Sequence, residues 1–216
     1  MIKNIIFDFG GVIYDIDHSL SKKAFEELGV RDFDHLYGHR KQVELFEKME
    51  RGELSEQQFR QSLRQYVPQH TIDADIDRAW SALLLGFDTK RIDLLEEIGK
   101  NYHLFLLSNT NNIHARQFLE EINAYKDFRS LFVDVWFSHE KGMRKPETVF
   151  YQSLLQKHQL LPRECLFIDD LDVNILAAQR LGIHTHYLQG HETILDLFNG
   201  GEIINSLILN SASSDR

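Results

Sequence analysis

Five short apolar runs recur along this chain, and stretches with helical periodicity separate them. The runs cover residues 2–7, 104–107, 132–137, 165–168 and 183–188. The helical stretches cover residues 91–98, 112–122, 147–158 and 173–181. Short buried strands that alternate with helices are typical of a parallel sheet with crossover helices. We therefore predict an α/β fold with a Rossmann-like, doubly wound parallel sheet.

Residues 17–88 interrupt this alternation, because they contain no predicted strand and show only helical periodicity. Ser55 and Gln58 have the spacing of a capping box, which opens a helix with Phe59 and Leu63 on one stripe. A second amphipathic stretch covers residues 71–85. We expect an all-helical insertion, residues 17–88, within an α/β core domain formed by residues 1–16 and 89–216.

The composition limits the classes of protein that fit. The chain has 216 residues, of which 43% are hydrophobic and only 3 are proline, and this favours an ordered globular protein. No apolar run approaches the roughly 20 residues of a membrane-spanning helix. The single cysteine, Cys165, cannot form an internal disulfide, so we expect a cytoplasmic protein. The net charge of −9 disfavours a nucleic-acid partner, and nothing in the sequence requires more than a monomer.

Polar residues and glycines follow the predicted strands at the points where those strands end. An open parallel sheet binds its ligands outside the carboxyl ends of the strands, so these residues should lie close together. They are Asp8, Gly10 and Gly11 after the first strand, Ser108 and Asn109 after the second, Lys145 after the third, and Asp169 and Asp170 after the fourth.

The carboxylates in this group suit a magnesium ion and a covalent step. Mg²⁺ prefers oxygen ligands, and Asp8, Asp169 and Asp170 can supply them. A bound cation neutralises phosphate charge, so the Asp8 carboxylate can approach phosphorus as a nucleophile and form an aspartyl-phosphate. We therefore predict Mg²⁺ as the cofactor and a small phosphorylated molecule as the substrate.

The remaining residues suit a bound phosphoryl group. The Ser108 hydroxyl can donate a hydrogen bond to a phosphate oxygen, and so can the backbone amides of Asn109 and Gly10. Lys145 can stabilise negative charge in the transition state. Gly10 and Gly11 let the backbone approach the phosphate closely.

Four motifs, in this order along the chain, resemble those of the haloacid dehalogenase superfamily of aspartate-nucleophile hydrolases. They are Phe-Asp-Phe-Gly-Gly-Val at residues 7–12, Leu-Ser-Asn-Thr at 107–110, Gly-Met-Arg-Lys-Pro-Glu at 142–147 and Phe-Ile-Asp-Asp at 167–170. The resemblance implies that the insertion is a small helical cap domain. Within the superfamily, the motifs look most like those of the α-D-glucose 1-phosphate phosphatases.

The resemblance also implies a role for each matching residue. Asp8 would be the nucleophile and a metal ligand, and the backbone carbonyl of Gly10 would bind the same metal. Asp170 would be the direct acidic ligand, and Asp169 would lie beside it, either on the metal or one layer further out. The residues implied to hold the transferred phosphoryl group are Ser108 and Lys145.

Gly10 departs from the superfamily pattern. Most phosphatases of the superfamily carry a second aspartate there, which protonates the leaving oxygen and later activates water. Three explanations are open: a leaving group that needs little protonation, another acid such as Asp15 or a cap residue, or a protein that binds with little turnover. We favour the first by analogy with superfamily members that carry glycine at this place.

These observations predict a Mg²⁺-dependent phosphatase of a small phosphorylated metabolite. A sugar phosphate is the expected substrate, and a sugar 1-phosphate is the narrower expectation. The alternative is a phosphate-binding or regulatory protein with the same fold, which Gly10 alone supports. A haloacid dehalogenase is the third choice, because the adjacent Asp169 and Asp170 favour a metal that dehalogenation does not need.

Some of these residues also have a structural interpretation. Asp8 and Ser108 can be helix caps, and Lys145 can be a solvated loop lysine. Asn174 can orient Asp170 or Lys145, or simply lie in the first turn of a helix. The residues for which we favour a structural role are Asp15, His139, His184 and His186, and those that can face the substrate from the insertion are Tyr37, His39 and Arg40.

Overall fold

The computed structural model describes residues 1–31 and 40–204, without the side chains of residues 40–43. The strands are β1 Asn4–Phe7, β2 Tyr14–Ile16, β3 Leu84–Phe87, β4 His103–Ser108, β5 Asp134–Phe137, β6 Cys165–Asp169, β7 His184–Tyr187, β8 Phe198–Asn199 and β9 Glu202–Ile203. The helices are α1 His18–Glu27, α2 Arg40–Glu50, α3 Glu56–Leu63, α4 Asp73–Ser81, α5 Thr89–Ile98, α6 Asn112–Asn123, α7 Ser138–Lys141, α8 Thr148–Lys157, α9 Asp172–Gln179 and α10 Ile194–Leu197. Short 3₁₀ turns cover Arg129–Leu131 and Pro162–Glu164.

The central sheet has five parallel strands in the order β5-β4-β1-β6-β7. The predicted α/β fold and its five core strands are therefore confirmed. In the register of the sheet, Phe7 lies opposite Leu106 on one side and Ile168 on the other. The residues that follow β1 and β6 consequently leave the sheet side by side.

Helices cover both faces of this sheet, as expected for a doubly wound arrangement. Alternate residues of β1 point to opposite faces, so that Ile5 and Phe7 join one buried cluster and Ile6 joins the other. Helices α5 and α6 pack on the first face, and α8 and α9 pack on the second. Burial on both faces explains why the core strands are continuous apolar runs.

The insertion has its own buried cluster, formed by helices α1 to α4. The Trp80 ring is at its centre and stacks on Phe46, with ring centroids 4.8 Å apart. Helix α3 begins with the predicted capping box of Ser55 and Gln58. Ile113 of α6 also joins this cluster, so the insertion packs directly against a helix of the core.

The prediction that residues 17–88 contain no strand is wrong. The β3 strand, Leu84–Phe87, pairs antiparallel with β2 and forms a two-stranded ribbon where the chain leaves and re-enters the core. The helical periodicity from residue 71 ends with α4 at Ser81, and the next apolar residues extend the chain instead. Their partner strand lies about 70 residues away in sequence, so local periodicity does not reveal the pairing.

Among the helices that the structure describes, none has both the length and the hydrophobicity of a membrane-spanning segment.

Candidate active site

Three carboxylates meet at the ends of β1 and β6. Asp8 follows β1, Asp169 ends β6, and Asp170 comes next. Each offers an oxygen, and these oxygens all lie within 4.8 Å of one another. Asp8 and Asp169 are 7% and 0% exposed, respectively. A tight turn follows Asp8 rather than a helix, so Asp8 is not a helix cap.

Lys145 is enclosed between two of these carboxylates. Its Nζ lies 2.6 Å from Asp8 Oδ1 and 2.7 Å from Asp169 Oδ2. The residue is only 1% exposed, so it is not a solvated loop lysine. Burial disfavours the ammonium, but the charges of Asp169 and Asp8 outweigh this effect and raise the pKa of Lys145. Lys145 therefore stays cationic at neutral pH.

Asn109 fixes the backbone that carries this lysine. Its Oδ1 accepts a hydrogen bond from Lys145 N at 2.8 Å, and its Nδ2 donates one to Lys145 O at 2.9 Å. Both halves of the amide are thus bound to one residue of the neighbouring loop. The sequence predicts Asn109 at the site, and the structure adds that its side chain holds Lys145 in place.

The neighbouring residues Asp169 and Asp170 have different environments. Asp169 accepts hydrogen bonds from Leu171 N, from Lys145 Nζ and from Asn174 Nδ2, which reaches both of its oxygens at 3.0 and 3.1 Å. Asp170 is half-buried, and within residues 1–31 and 40–204 no other residue donates a hydrogen bond to its carboxylate. Asn174 therefore orients Asp169, and neither predicted partner, Asp170 or Lys145, is bound to it.

The charges of this cluster do not balance within the protein. Burial raises the pKa of Asp8 well above its ordinary value, although Lys145 opposes the shift. Burial and the Asp169 charge likewise raise the pKa of Asp170. Three carboxylates around one ammonium leave an excess of negative charge, and a divalent cation would compensate it. The oxygen donors are also of the type that Mg²⁺ prefers.

The two glycines after Asp8 meet different constraints. Gly11 has φ +76°, and a Cβ there would lie 2.2 Å from Asp170 Oδ2. A side chain at Gly11 would thus be strained and would displace Asp170. A Cβ at Gly10 would instead lie 2.9 Å from Cδ1 of Ile16, so an apolar side chain covers the place where the usual aspartate would stand.

A small cavity of about 80 Å³ lies beside these residues, between the core and the insertion. Gly10, Ser108 and Asn109 line its core side. Ser108 is free to do so because Asn111, and not Ser108, caps α6. The insertion contributes ionisable His18 and Glu50 to the wall. Sequence reasoning missed both residues, because nothing in a helical pattern shows which polar positions face a distant strand end.

Ion pairs join the insertion to the loop that carries Lys145. Arg144, just before the lysine, binds Glu47 and Glu50 of α2, each at 2.9 Å. In return, Arg51 at the end of α2 binds Glu147, two residues after the lysine. The loop of the core and the helix of the insertion thus hold each other from both sides of Lys145.

The other described candidates have partners outside the carboxylate cluster. Asp15 is on β2 and pairs with Arg91 at 2.6 Å, which agrees with the structural role expected for it. His139 bonds to the Thr110 carbonyl, and His186 pairs with Glu192. The candidates that lie outside the described part of the chain are Tyr37, His39 and the side chain of Arg40.

A family model described as haloacid dehalogenase-like hydrolase matches residues 2–182. A D-ribitol-5-phosphate phosphatase of Bacteroides thetaiotaomicron is 32% identical over 190 residues, which are 86% of this chain and 91% of the relative. A sesquiterpene phosphatase of Aspergillus oryzae is 26% identical over 199 residues, or 90% of this chain and 94% of the relative.

Among solved structures, a haloacid dehalogenase family enzyme of Bacteroides thetaiotaomicron superposes with a TM-score of 0.84. Its sequence is 30% identical, and the match covers 92% of this chain and all of the other. That structure is a complex with magnesium and inorganic phosphate.

Proposed function

Because this chain belongs to the haloacid dehalogenase-like hydrolase family and is itself a hydrolase, we propose that it is a Mg²⁺-dependent phosphatase that acts on a small phosphorylated sugar or sugar alcohol. The observation that carries the proposal is the buried Lys145, held between Asp8 and Asp169 beside a third carboxylate. That arrangement offers a nucleophile, a fixed positive charge and a cation site within one small volume.

Asp8 is the proposed nucleophile. Its Oδ1 already accepts hydrogen bonds from Phe9 N and Lys145 Nζ, whereas its Oδ2 has no such partner in the described ranges. In the first step a bond forms between the Asp8 carboxylate and phosphorus as the bond to the leaving oxygen breaks. Water then attacks phosphorus, releases phosphate and restores Asp8. The phosphoryl oxygens are bound through both steps by Lys145, by Ser108 and by the backbone amides of Gly10 and Asn109.

Asp8, Asp170 and the Gly10 carbonyl are the proposed Mg²⁺ ligands. Among the residues that the structure describes, none donates a hydrogen bond to the Asp170 carboxylate except Asp170 itself, whereas hydrogen bonds already occupy both oxygens of Asp169. We therefore propose that Asp169 holds Lys145 and orients the site from outside the shell of metal ligands. When bound, Mg²⁺ supplies the positive charge that lets a carboxylate approach a phosphate.

The size and polarity of the cavity support a small hydroxylated substrate. The volume of about 80 Å³ and the polar side chains of His18 and Glu50 suit a sugar or polyol better than a terpenoid. The relative named as a D-ribitol-5-phosphate phosphatase supports the same class. A sugar 1-phosphate is the narrower proposal within that class. We also propose that residues 17–88 act as the cap that closes over this cavity.

Phosphate release tests the proposal. The panel pairs sugar 1-phosphates and an aryl phosphate with ribitol 5-phosphate, sugar 6-phosphates and glycerol phosphate, each in Mg²⁺ or in EDTA. We expect release in Mg²⁺ only, and Asp8→Asn should abolish it. Tight binding of inorganic phosphate without turnover of any panel member would overturn the proposal in favour of a phosphate-binding protein.

A further inference from the structure

The proposed reaction lacks a proton donor at Gly10. An alkoxide is a poor leaving group, so its departure from phosphorus needs a proton from a nearby acid. Ile16 covers the place beside Gly10 where an aspartate side chain would stand. For an alkoxide leaving group, as opposed to the anomeric oxygen of a sugar 1-phosphate, the donor must come from another part of the cavity wall. This inference rests on the proposed function and concerns the same site.

The ionisable side chains that line the cavity, among the described residues, are His18, Glu50 and His114. His114 is excluded by its hydrogen bonds. Its Nδ1 accepts from Asn111 and its Nε2 donates to the Trp80 carbonyl, both at 3.1 Å. Burial also lowers the pKa of His114 to about 4, so it carries no extra proton at neutral pH.

Glu50 is committed to another contact. Its Oε2 accepts a hydrogen bond from Arg144 Nε at 2.9 Å. Pairing with a guanidinium favours the carboxylate form, although burial works against it and raises the pKa of Glu50. An anchored carboxylate of this kind suits acceptance of a hydrogen bond from a substrate hydroxyl or from a neighbouring imidazolium.

His18, unlike His114 and Glu50, is not held by hydrogen bonds to other described residues. It is exposed, and in the described part of the chain it has no hydrogen bond or ion pair. Asp17 caps α1 through Ser19 N at 2.8 Å and thereby makes His18 the first residue of the helix. One turn later, Ser21 donates to the Trp80 carbonyl at 2.8 Å and accepts from Leu83 N. Residues three apart share a helix face, so His18 faces the cavity that Trp80 and Leu83 line.

His18 interacts electrostatically with charged groups on both sides of the cavity. Its charge acts on Glu50 of α2, on His114 of α6 and on Asp170 at the end of β6. Asp17 precedes it in the chain. The imidazole is thus within electrostatic reach of both the proposed metal ligand and the anchored Glu50.

We propose that His18 is the acid and base of this phosphatase, in place of the aspartate that Gly10 lacks. As the Asp8 oxygen bonds to phosphorus and the bond from phosphorus to the leaving oxygen breaks, the His18 imidazolium gives its proton to that oxygen. In the second step the neutral imidazole takes a proton from water, the water oxygen bonds to phosphorus, and the Asp8–phosphorus bond breaks. The proton taken up restores the imidazolium.

The dependence on the leaving group tests His18. kcat/KM is measured for an aryl phosphate, p-nitrophenyl phosphate, and for an alkyl phosphate, ribitol 5-phosphate or glycerol phosphate, with wild type and His18→Asn. An aryl oxide leaves without a proton, whereas an alkoxide does not. We expect His18→Asn to lower kcat/KM about 100-fold for the alkyl phosphate and less than about threefold for the aryl phosphate.

Two further variants are measured, one as a control and one as a test of Glu50 as the alternative acid. His70→Asn is the matched control, because His70 is an exposed histidine of the insertion that does not line the cavity. His70→Asn should leave kcat/KM unchanged for both the aryl and the alkyl phosphate. Equal losses on both substrates with His18→Asn, or no loss, would overturn the inference and leave the phosphatase proposal intact. A selective loss on the alkyl phosphate with Glu50→Gln, but not with His18→Asn, would assign the acid to Glu50 instead. Absence of release by wild type from either substrate would contradict the proposed function itself.

Discussion

The two sides of the candidate site, which we call the core wall and the insertion wall, are built in different ways. The core wall consists of strand ends, where the pairing of β1 with β6 sets Asp8 beside Asp169 and Lys145 lies between them. The insertion wall consists of helical residues, His18 and Glu50, that reach the site only through contacts between insertion and core. Sheet register thus fixes the groups that we propose act at phosphorus, whereas the groups proposed for the leaving-group side depend on how the insertion is held.

Replacement of Lys145 should give the largest loss, because it removes the fixed charge of the core wall. Lys145→Met leaves Asp8 and Asp169 facing each other without a cation. We expect kcat to fall about 10³-fold in steady-state assays with saturating Mg²⁺. Lys100→Met, at an exposed lysine paired with Glu97, is the control. A loss of less than about tenfold would contradict the role assigned to Lys145.

Acid should weaken the protein through His114, which joins α6 of the core to α4 of the insertion. Burial lowers the pKa of His114 from 6.5 to about 4. Between these values the unfolded chain binds a proton that the folded protein does not. Stability that is present above pH 6.5 is therefore lost as the pH falls toward 4, by up to about 3 kcal/mol.

Urea denaturation at pH 7 and at pH 4.5 measures this loss for wild type and for His114→Gln. The variant should be less stable at pH 7 but should lose less stability on acidification, because the titrating group is gone. Parallel losses in the two proteins would show that His114 does not carry the effect.

Variants of Asp169 and Asp170 test whether these two neighbouring carboxylates have different roles in the core wall. Asp170→Asn should raise the Mg²⁺ concentration for half-maximal activity by about 10- to 100-fold. Asp169→Asn should mainly lower kcat at saturating Mg²⁺, since Asp169 binds Lys145 and Asn174. Titration of activity with Mg²⁺ separates the two effects. The reverse assignment of effects would place Asp169 on the metal.

The smallest effect is expected at the ion pairs that join the walls. Arg144→Gln removes the contacts to Glu47 and Glu50, which are partly exposed and individually weak. We expect KM to rise about fivefold with little change in kcat. Arg129→Gln, which breaks an ion pair with Glu140 within the core, should leave both constants unchanged.

The same division explains what the sequence could predict. The core strands were predictable because burial on both faces makes them continuous apolar runs. Their parallel pairing then requires that Asp8, Lys145, Asp169 and Asp170 converge, as the structure shows. The partner of Asn174 was not predictable, because the direction of a side chain in a helical turn decides between Asp169 and Asp170.

The residues of the insertion wall could not be predicted from the sequence, and the reason is physical. Helical periodicity identifies the apolar stripe of a helix but does not show which polar positions face another part of the fold. His18 and Glu50 lie on such positions, and the β2–β3 ribbon depends on a pairing between distant segments. These features arise from tertiary contacts, so they appear only once the insertion is placed on the core.

In the proposed reaction, a phosphoryl group is transferred to Asp8 before water releases it. Acid quench during turnover of a substrate, followed by borohydride reduction and peptide mass analysis, reports that intermediate directly. An aspartyl-phosphate is reduced to homoserine, so we expect homoserine at position 8 and unchanged Asp169 and Asp170. Steady phosphate release from an enzyme in which Asp8 is never converted would contradict it.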